Sequence, residues 1–123
     1  GNLCNGSPAA DGVPGLIAAG ATVTIAGPKG EREENVEDII TGPGKTSLKA
    51  GEFVVSINLP KRGKRAGDAY LRFIPRTEMD IAVVGAAVSL TLDAKGVCTD
   101  ARVSLGAVAP RPLLVKAAGK ALV

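Results

Sequence analysis

Ile81-Ala82-Val83-Val84-Gly85-Ala86-Ala87-Val88-Ser89-Leu90-Thr91-Leu92-Asp93-Ala94-Lys95-Gly96-Val97-Cys98-Thr99-Asp100-Ala101-Arg102-Val103-Ser104-Leu105-Gly106-Ala107-Val108 is the stretch on which the fold turns. Its first part, Ile81–Leu92, is rich in Val, Ala and Ile, and by composition it is either a buried strand or a helix. Ser89–Leu92 alternates polar and apolar, and Asp93-Ala94-Lys95-Gly96 carries turn chemistry. Val97, Thr99, Ala101, Val103, Leu105 and Ala107 then occupy every second position. An antiparallel pair closed at Asp93–Gly96 is the economical reading. Pro110 and Pro112 stop the returning strand. Beyond them Leu114, Ala117, Ala118, Ala121 and Leu122 fall at helical spacing, which predicts a helix over Leu113–Val123.

Working back from this hairpin, Asp68–Arg76 reads as a further strand. Before it, Lys61-Arg62-Gly63-Lys64-Arg65 places four cations in five residues, which repel one another and favour extension into water. The segment is either a solvated linker between two lobes or a contact for a phosphate or an acidic partner. Glu52–Pro60 is β-branched and aromatic and ends in proline, the marks of a strand. Earlier still, Val13, Leu16 and Ile17 predict a short helix closed by Gly20, and Ala21–Ala26 alternates as a strand. Gly27-Pro28-Lys29-Gly30 is a turn, and residues 31–46 are polar, with Asn35 able to cap one turn from Val36 to Ile40. Gly42-Pro43-Gly44-Lys45-Thr46 lacks the spacing of a phosphate loop and contains a proline, so it reads as a plain loop.

The whole chain has 123 residues, the size of one ordinary domain, and 46% of them are hydrophobic. Only Phe53, Tyr70 and Phe73 are aromatic, so the core is aliphatic and stacking platforms for bases are nearly absent. A net charge of +3 demands neither nucleic acid nor an acidic membrane, and no apolar run reaches transmembrane length. There is no histidine, which removes the commonest general base. Cys4 and Cys98 fit no zinc or iron–sulfur spacing and read as reduced, buried or half-buried thiols of a cytosolic protein.

The opening stretch, Gly1-Asn2-Leu3-Cys4-Asn5-Gly6-Ser7-Pro8-Ala9-Ala10-Asp11, combines close-approach glycines with small hydrogen-bonding side chains and a lone carboxylate. On local chemistry it is either a polar turn before a helix, capped by Ser7 or Asp11, or a ligand-contacting loop. Gly1-Asn2 followed by Ser7-Pro8-Ala9-Ala10-Asp11 resembles the FAD-binding subunit of the molybdenum hydroxylase family, that of xanthine and carbon monoxide dehydrogenases. Tyr70-Leu71-Arg72, Arg76, Met79–Ala82 and Asp100–Pro112 are similar to the C-terminal flavoprotein domain of the same family, so the resemblance covers nearly the whole chain in order.

The resemblance implies an α+β fold of two small lobes. Residues 1–60 would be the end of an FAD-binding domain, 61–66 a basic linker, and 67–123 an antiparallel sheet with a terminal helix. It implies that Gly1, Asn2 and Asp11 lie against FAD, that Val54 packs on the flavin, and that Arg72 stands where the family often has a lysine. The two cations differ, since a planar guanidinium is not a point ammonium. It further implies a cytoplasmic hetero-oligomer with an iron–sulfur subunit and a molybdopterin subunit, and no nucleic acid. Substrate would be oxidised at a molybdenum cofactor, and electrons would cross [2Fe-2S] clusters to FAD and on to an acceptor. No acid, base or nucleophile is then required of this chain, in keeping with the missing histidine. In the family the glycine-rich pyrophosphate segments precede the position of Gly1 and further helices follow that of Val123. The 123 residues by themselves are therefore expected to be colourless, to leave apolar surface uncovered and to self-associate. Two other functions fit the sequence: a basic nucleic-acid module built on Lys61–Arg65, and a structural interaction domain that has lost its cofactor.

Overall fold

The structure is a computed structural model describing residues 1–123. Helix α1 (Gly12–Ala18) leads into β1 (Thr22–Gly27), β2 (Gly30–Asn35), the single turn α2 (Val36–Ile39), and the short hairpin β3 (Ile40–Gly42) and β4 (Lys45–Thr46). Then follow β5 (Phe53–Asn58), β6 (Ala66–Phe73), β7 (Val84–Leu92), β8 (Cys98–Gly106), β9 (Leu113–Leu114) and α3 (Lys116–Ala121). The strands form a sheet of order β2-β1-β5, the β3-β4 hairpin, and a sheet of order β6-β7-β8-β9, every pairing being antiparallel. The fold is α+β, as the sequence predicts. No helix is long and apolar enough to cross a membrane.

Helix α1 holds the halves together. Its Val13 and Ile17 join Ala21, Val23, Ile25, Val36, Ile39 and Ile40 in an aliphatic core. It ends where the amides of Gly20 and Ala21 donate to the carbonyls of Ile17 and Leu16, with Gly20 left-handed at φ 71°. That is the Schellman arrangement a glycine makes inexpensive. The helix also packs on β6, β7 and β8. Across the β7–β8 ladder Gly85 faces Gly106 and Ala87 faces Ser104, so small residues line a trough. A Cβ on Gly106 would stand 2.7 Å from Pro14, which explains why the trough takes no larger residue there. Arg102 fixes the crossing: its Nε and Nη2 donate to the Ile17 carbonyl at 3.1 and 2.9 Å, and Nη2 reaches Glu37 at 3.2 Å.

Several expectations are corrected. Residues 31–35, read only as polar and assigned no strand, belong to β2, whose Glu31 to Asn35 pair with β1. The Gly42–Thr46 stretch, read as a plain loop, is part of a hairpin: Gly42 ends β3, Lys45 and Thr46 form β4, and only Pro43-Gly44 turns between them. The ambiguous run Ile81–Leu92 is a strand from Val84 onward, and its partner turns back at Asp93–Gly96 as read. The terminal helix starts later than its periodicity predicts. Leu114 belongs to β9, facing Ser104, and the helix begins at Lys116. Cys4 is exposed and Cys98 half-buried, and both are free.

Residues 61–65 are exposed throughout, with Arg62 paired to Asp68. On β5 the alternate residues Phe53, Val55 and Ile57 are 62%, 53% and 46% exposed, an uncovered apolar stripe of the kind expected from the resemblance.

Candidate functional site

The N-terminal loop and β6 meet at Asp11. Gly1 accepts the amide of Asn5 in the first turn of the loop. Asn2 then crosses ten residues: its Oδ1 accepts the Gly12 amide at 2.9 Å. Asp11 holds the N-cap position of α1, yet its side chain caps nothing. Asn2 satisfies the helix start and leaves Asp11 free to turn toward β6. There Arg72 pairs with Oδ2 and the Tyr70 hydroxyl donates to Oδ1 at 3.4 Å. Tyr70 and Arg72 lie two residues apart on one strand and so share a face.

Of the predicted residues, the structure thus brings Asn2, Asp11 and Arg72 into one neighbourhood, with Gly1 beside them in sequence. Val54 stands apart from this hydrogen-bonded group. It pairs with Ile25 across the β1–β5 ladder and packs on the aliphatic core, while its neighbours Phe53 and Val55 face outward. Tyr70, part of the resemblance but not named there as a site residue, joins the Asp11 group. Its signal was the alternation Asp68, Tyr70, Arg72 along β6.

The electrostatics are those of a partly exposed ion pair. The side chains of Asp11 and Arg72 are 39% and 33% exposed. Burial pushes the Tyr70 phenol above its ordinary value of 10, the negative charge and hydrogen bond of Asp11 push the same way, and Arg72 opposes them. Each carboxylate oxygen of Asp11 takes one donor and keeps a further lone pair, and a ribityl or ribose hydroxyl is a suitable donor for it. Arg72 adds a fixed positive charge of the kind an electron-accepting ring system favours. The donor set therefore fits a flavin nucleotide. It does not fit a metal, since no group of three or more His, Cys, Asp or Glu gathers anywhere in the chain. Next to it, a cleft of about 650 Å³ runs between α1, residues 59–63 and β6–β7, with Gly12 and Tyr70 in its wall.

Comparison with known proteins reaches both halves of this site. Residues 1–62 match the FAD binding domain in molybdopterin dehydrogenase, and residues 69–123 match the CO dehydrogenase flavoprotein C-terminal domain. The carbon monoxide dehydrogenase medium chain of Afipia carboxidovorans is 36% identical over 124 residues, covering 100% of this chain and 42% of that protein. The xanthine dehydrogenase FAD-binding subunit of Escherichia coli O157:H7 is 34% identical, covering 92% of this chain and 39% of its own length. The reconstituted CO dehydrogenase from Oligotropha carboxidovorans superposes with a TM-score of 0.92 at 34% identity, over 100% of this chain and 42% of that one. Quinoline 2-oxidoreductase from Pseudomonas putida 86 gives 0.84 at 30% identity, over 99% and 41%. The chain thus spans about two-fifths of the length of the relatives it matches.

Proposed function

This chain belongs to the FAD-binding subunits of the molybdenum hydroxylase family, and on that premise we propose that it supplies one wall of a flavin site in an electron-transferring oxidoreductase. Asn2 shapes the wall by fixing the start of α1. Asp11 accepts from hydroxyls of the cofactor, and Arg72 places a positive charge beside it. Gly1 keeps the loop backbone open to close approach, and Val54 supports the wall from the core side. The redox chemistry is the flavin's own, and the protein contributes position and electrostatics. In this reading electrons arrive from [2Fe-2S] clusters in an iron–sulfur subunit, after substrate oxidation at a molybdenum cofactor in a third subunit, and leave to an acceptor.

The observation that carries the reading is the Asp11–Arg72 pair. It joins the two segments that match separate parts of the flavoprotein pattern, so the motif residues converge at one place. A nucleic-acid module on Lys61–Arg65 has less support, because Arg62 is already paired with Asp68 and the three aromatics offer little stacking surface. The assembled complex tests the proposal through its absorbance spectrum. Flavin and iron–sulfur bands should appear together and bleach together on addition of reducing substrate. A complex that assembles and turns over without a flavin band would end this reading.

A further inference from the structure

We infer that Tyr70 is a positioning residue for the flavin wall: its hydroxyl, lodged in the space that Gly85 leaves empty, holds the Asp11 carboxylate where Arg72 pairs with it and its remaining lone pairs stay open to a cofactor hydroxyl. The inference rests on the flavin reading of Asp11 given above. Three observations lead to it. First, Asp11 makes no helix-capping bond, and its two observed partners are Tyr70 and Arg72, one on each oxygen. With no bond to the helix, the protein groups that orient this carboxylate are these two side chains. Second, Gly85 lies opposite Arg72 in the β6–β7 ladder, and a Cβ there would stand 2.7 Å from the Tyr70 hydroxyl and 3.1 Å from its ring. Gly85 is outside the left-handed region, so space and not backbone freedom is what this glycine provides. Third, Tyr70 bonds Asp11 and also lines the neighbouring cleft, so it links the carboxylate to that cleft. The charged groups acting on the phenol are Asp11 and Arg72, and its titration reports on their arrangement.

The chain contains one tyrosine and no tryptophan, so tyrosinate absorbance reads this residue alone. In the purified chain the phenol should titrate above its ordinary value, and Asp11→Asn should move the midpoint down. An unchanged midpoint would show that the two side chains are not coupled and would overturn the inference. The second arm uses the flavin-loaded protein and a double-variant cycle. Tyr70→Phe should weaken FAD binding roughly fivefold, the loss of one hydrogen bond. Gly85→Ala should do the same by displacing the hydroxyl. In Asp11→Asn, adding Tyr70→Phe should cost nothing more. Losses that simply add would mean that Tyr70 acts through the fold or by direct contact, against the inference. Unchanged affinity in Asp11→Asn, with the phenol shift intact, would instead remove the flavin reading on which the inference stands.

Discussion

Arg32 and Arg72 both pair with carboxylates, yet their surroundings differ in one respect that separates scaffold from site. Arg32 is saturated. Its Nε and Nη2 grip Glu52 at 3.0 and 2.9 Å, Nη1 holds Glu34, and Nη2 also reaches the Ser47 carbonyl at 3.3 Å. Glu52 in turn accepts the Lys49 amide at 2.8 Å. The group ties β2 to the loop before β5 and has few valences left. Arg72 makes a single contact with Asp11, and Asp11 keeps acceptor capacity on both oxygens. A fully used ion-pair cluster stabilises a fold, whereas one with open lone pairs at a lobe junction is where a ligand finds partners.

The largest effect expected from this contrast concerns cofactor affinity. Two charge-assisted contacts amount to about 3–6 kcal/mol before the cost of association, weaker than micromolar binding. Flavin fluorescence should therefore show no stoichiometric FAD binding by the 123-residue chain at micromolar concentration. Stoichiometric binding would place the affinity within this wall and erase the distinction between a contributing wall and a complete site.

A second test asks what holds the wall in place. Arg102 → Ala removes the donors to Ile17 and to Glu37, whose other oxygen is already buried without a partner. Denaturant unfolding should show a loss of about 2–3 kcal/mol. A loss indistinguishable from zero would mean that the trough packing of α1 alone fixes the two sheets.

A smaller effect probes the saturated cluster. The donors of Arg32, with the Lys49 amide, hold the Glu52 carboxyl down at about 2, below its ordinary 4.5. A depressed folded value contributes stability that is present above pH 4.5 and is lost as the pH falls toward 2. Glu52→Gln should flatten the stability–pH curve within that window. A curve of unchanged slope would show that the cluster is not the acid-sensitive element.

Much of the fold could be read beforehand because local signals agreed. Turn chemistry at Asp93–Gly96 met alternation on both sides, and Gly20 closed a helix whose apolar spacing was plain. The strand β2 was illegible for a physical reason. Gly30-Glu31-Arg32-Glu33-Glu34-Asn35 has no apolar face, since as an edge strand it gains its place from ladder bonds and from Arg32 pairing across it. Periodicity likewise placed Leu114 in a helix, although pairing with Ser104 draws it into the sheet. At the site, the residues Asn2, Asp11 and Arg72 came from a resemblance. Their division of labour did not, because the Asn2–Gly12 and Tyr70–Asp11 bonds join positions 10 and 59 residues apart. Val54 was likewise named from the resemblance, and what the structure adds is its packing against the aliphatic core.

The contrast between the two arginine clusters is tested most directly by flavin content after dialysis, measured side by side on Asp11→Ala and Glu52→Gln variants of the flavin-loaded protein. Asp11→Ala should lose cofactor, its affinity reduced by about 1.5–3 kcal/mol, or roughly 10- to 150-fold. Glu52→Gln should keep a full complement. Full flavin retention by Asp11→Ala, or loss from Glu52→Gln, would contradict the account.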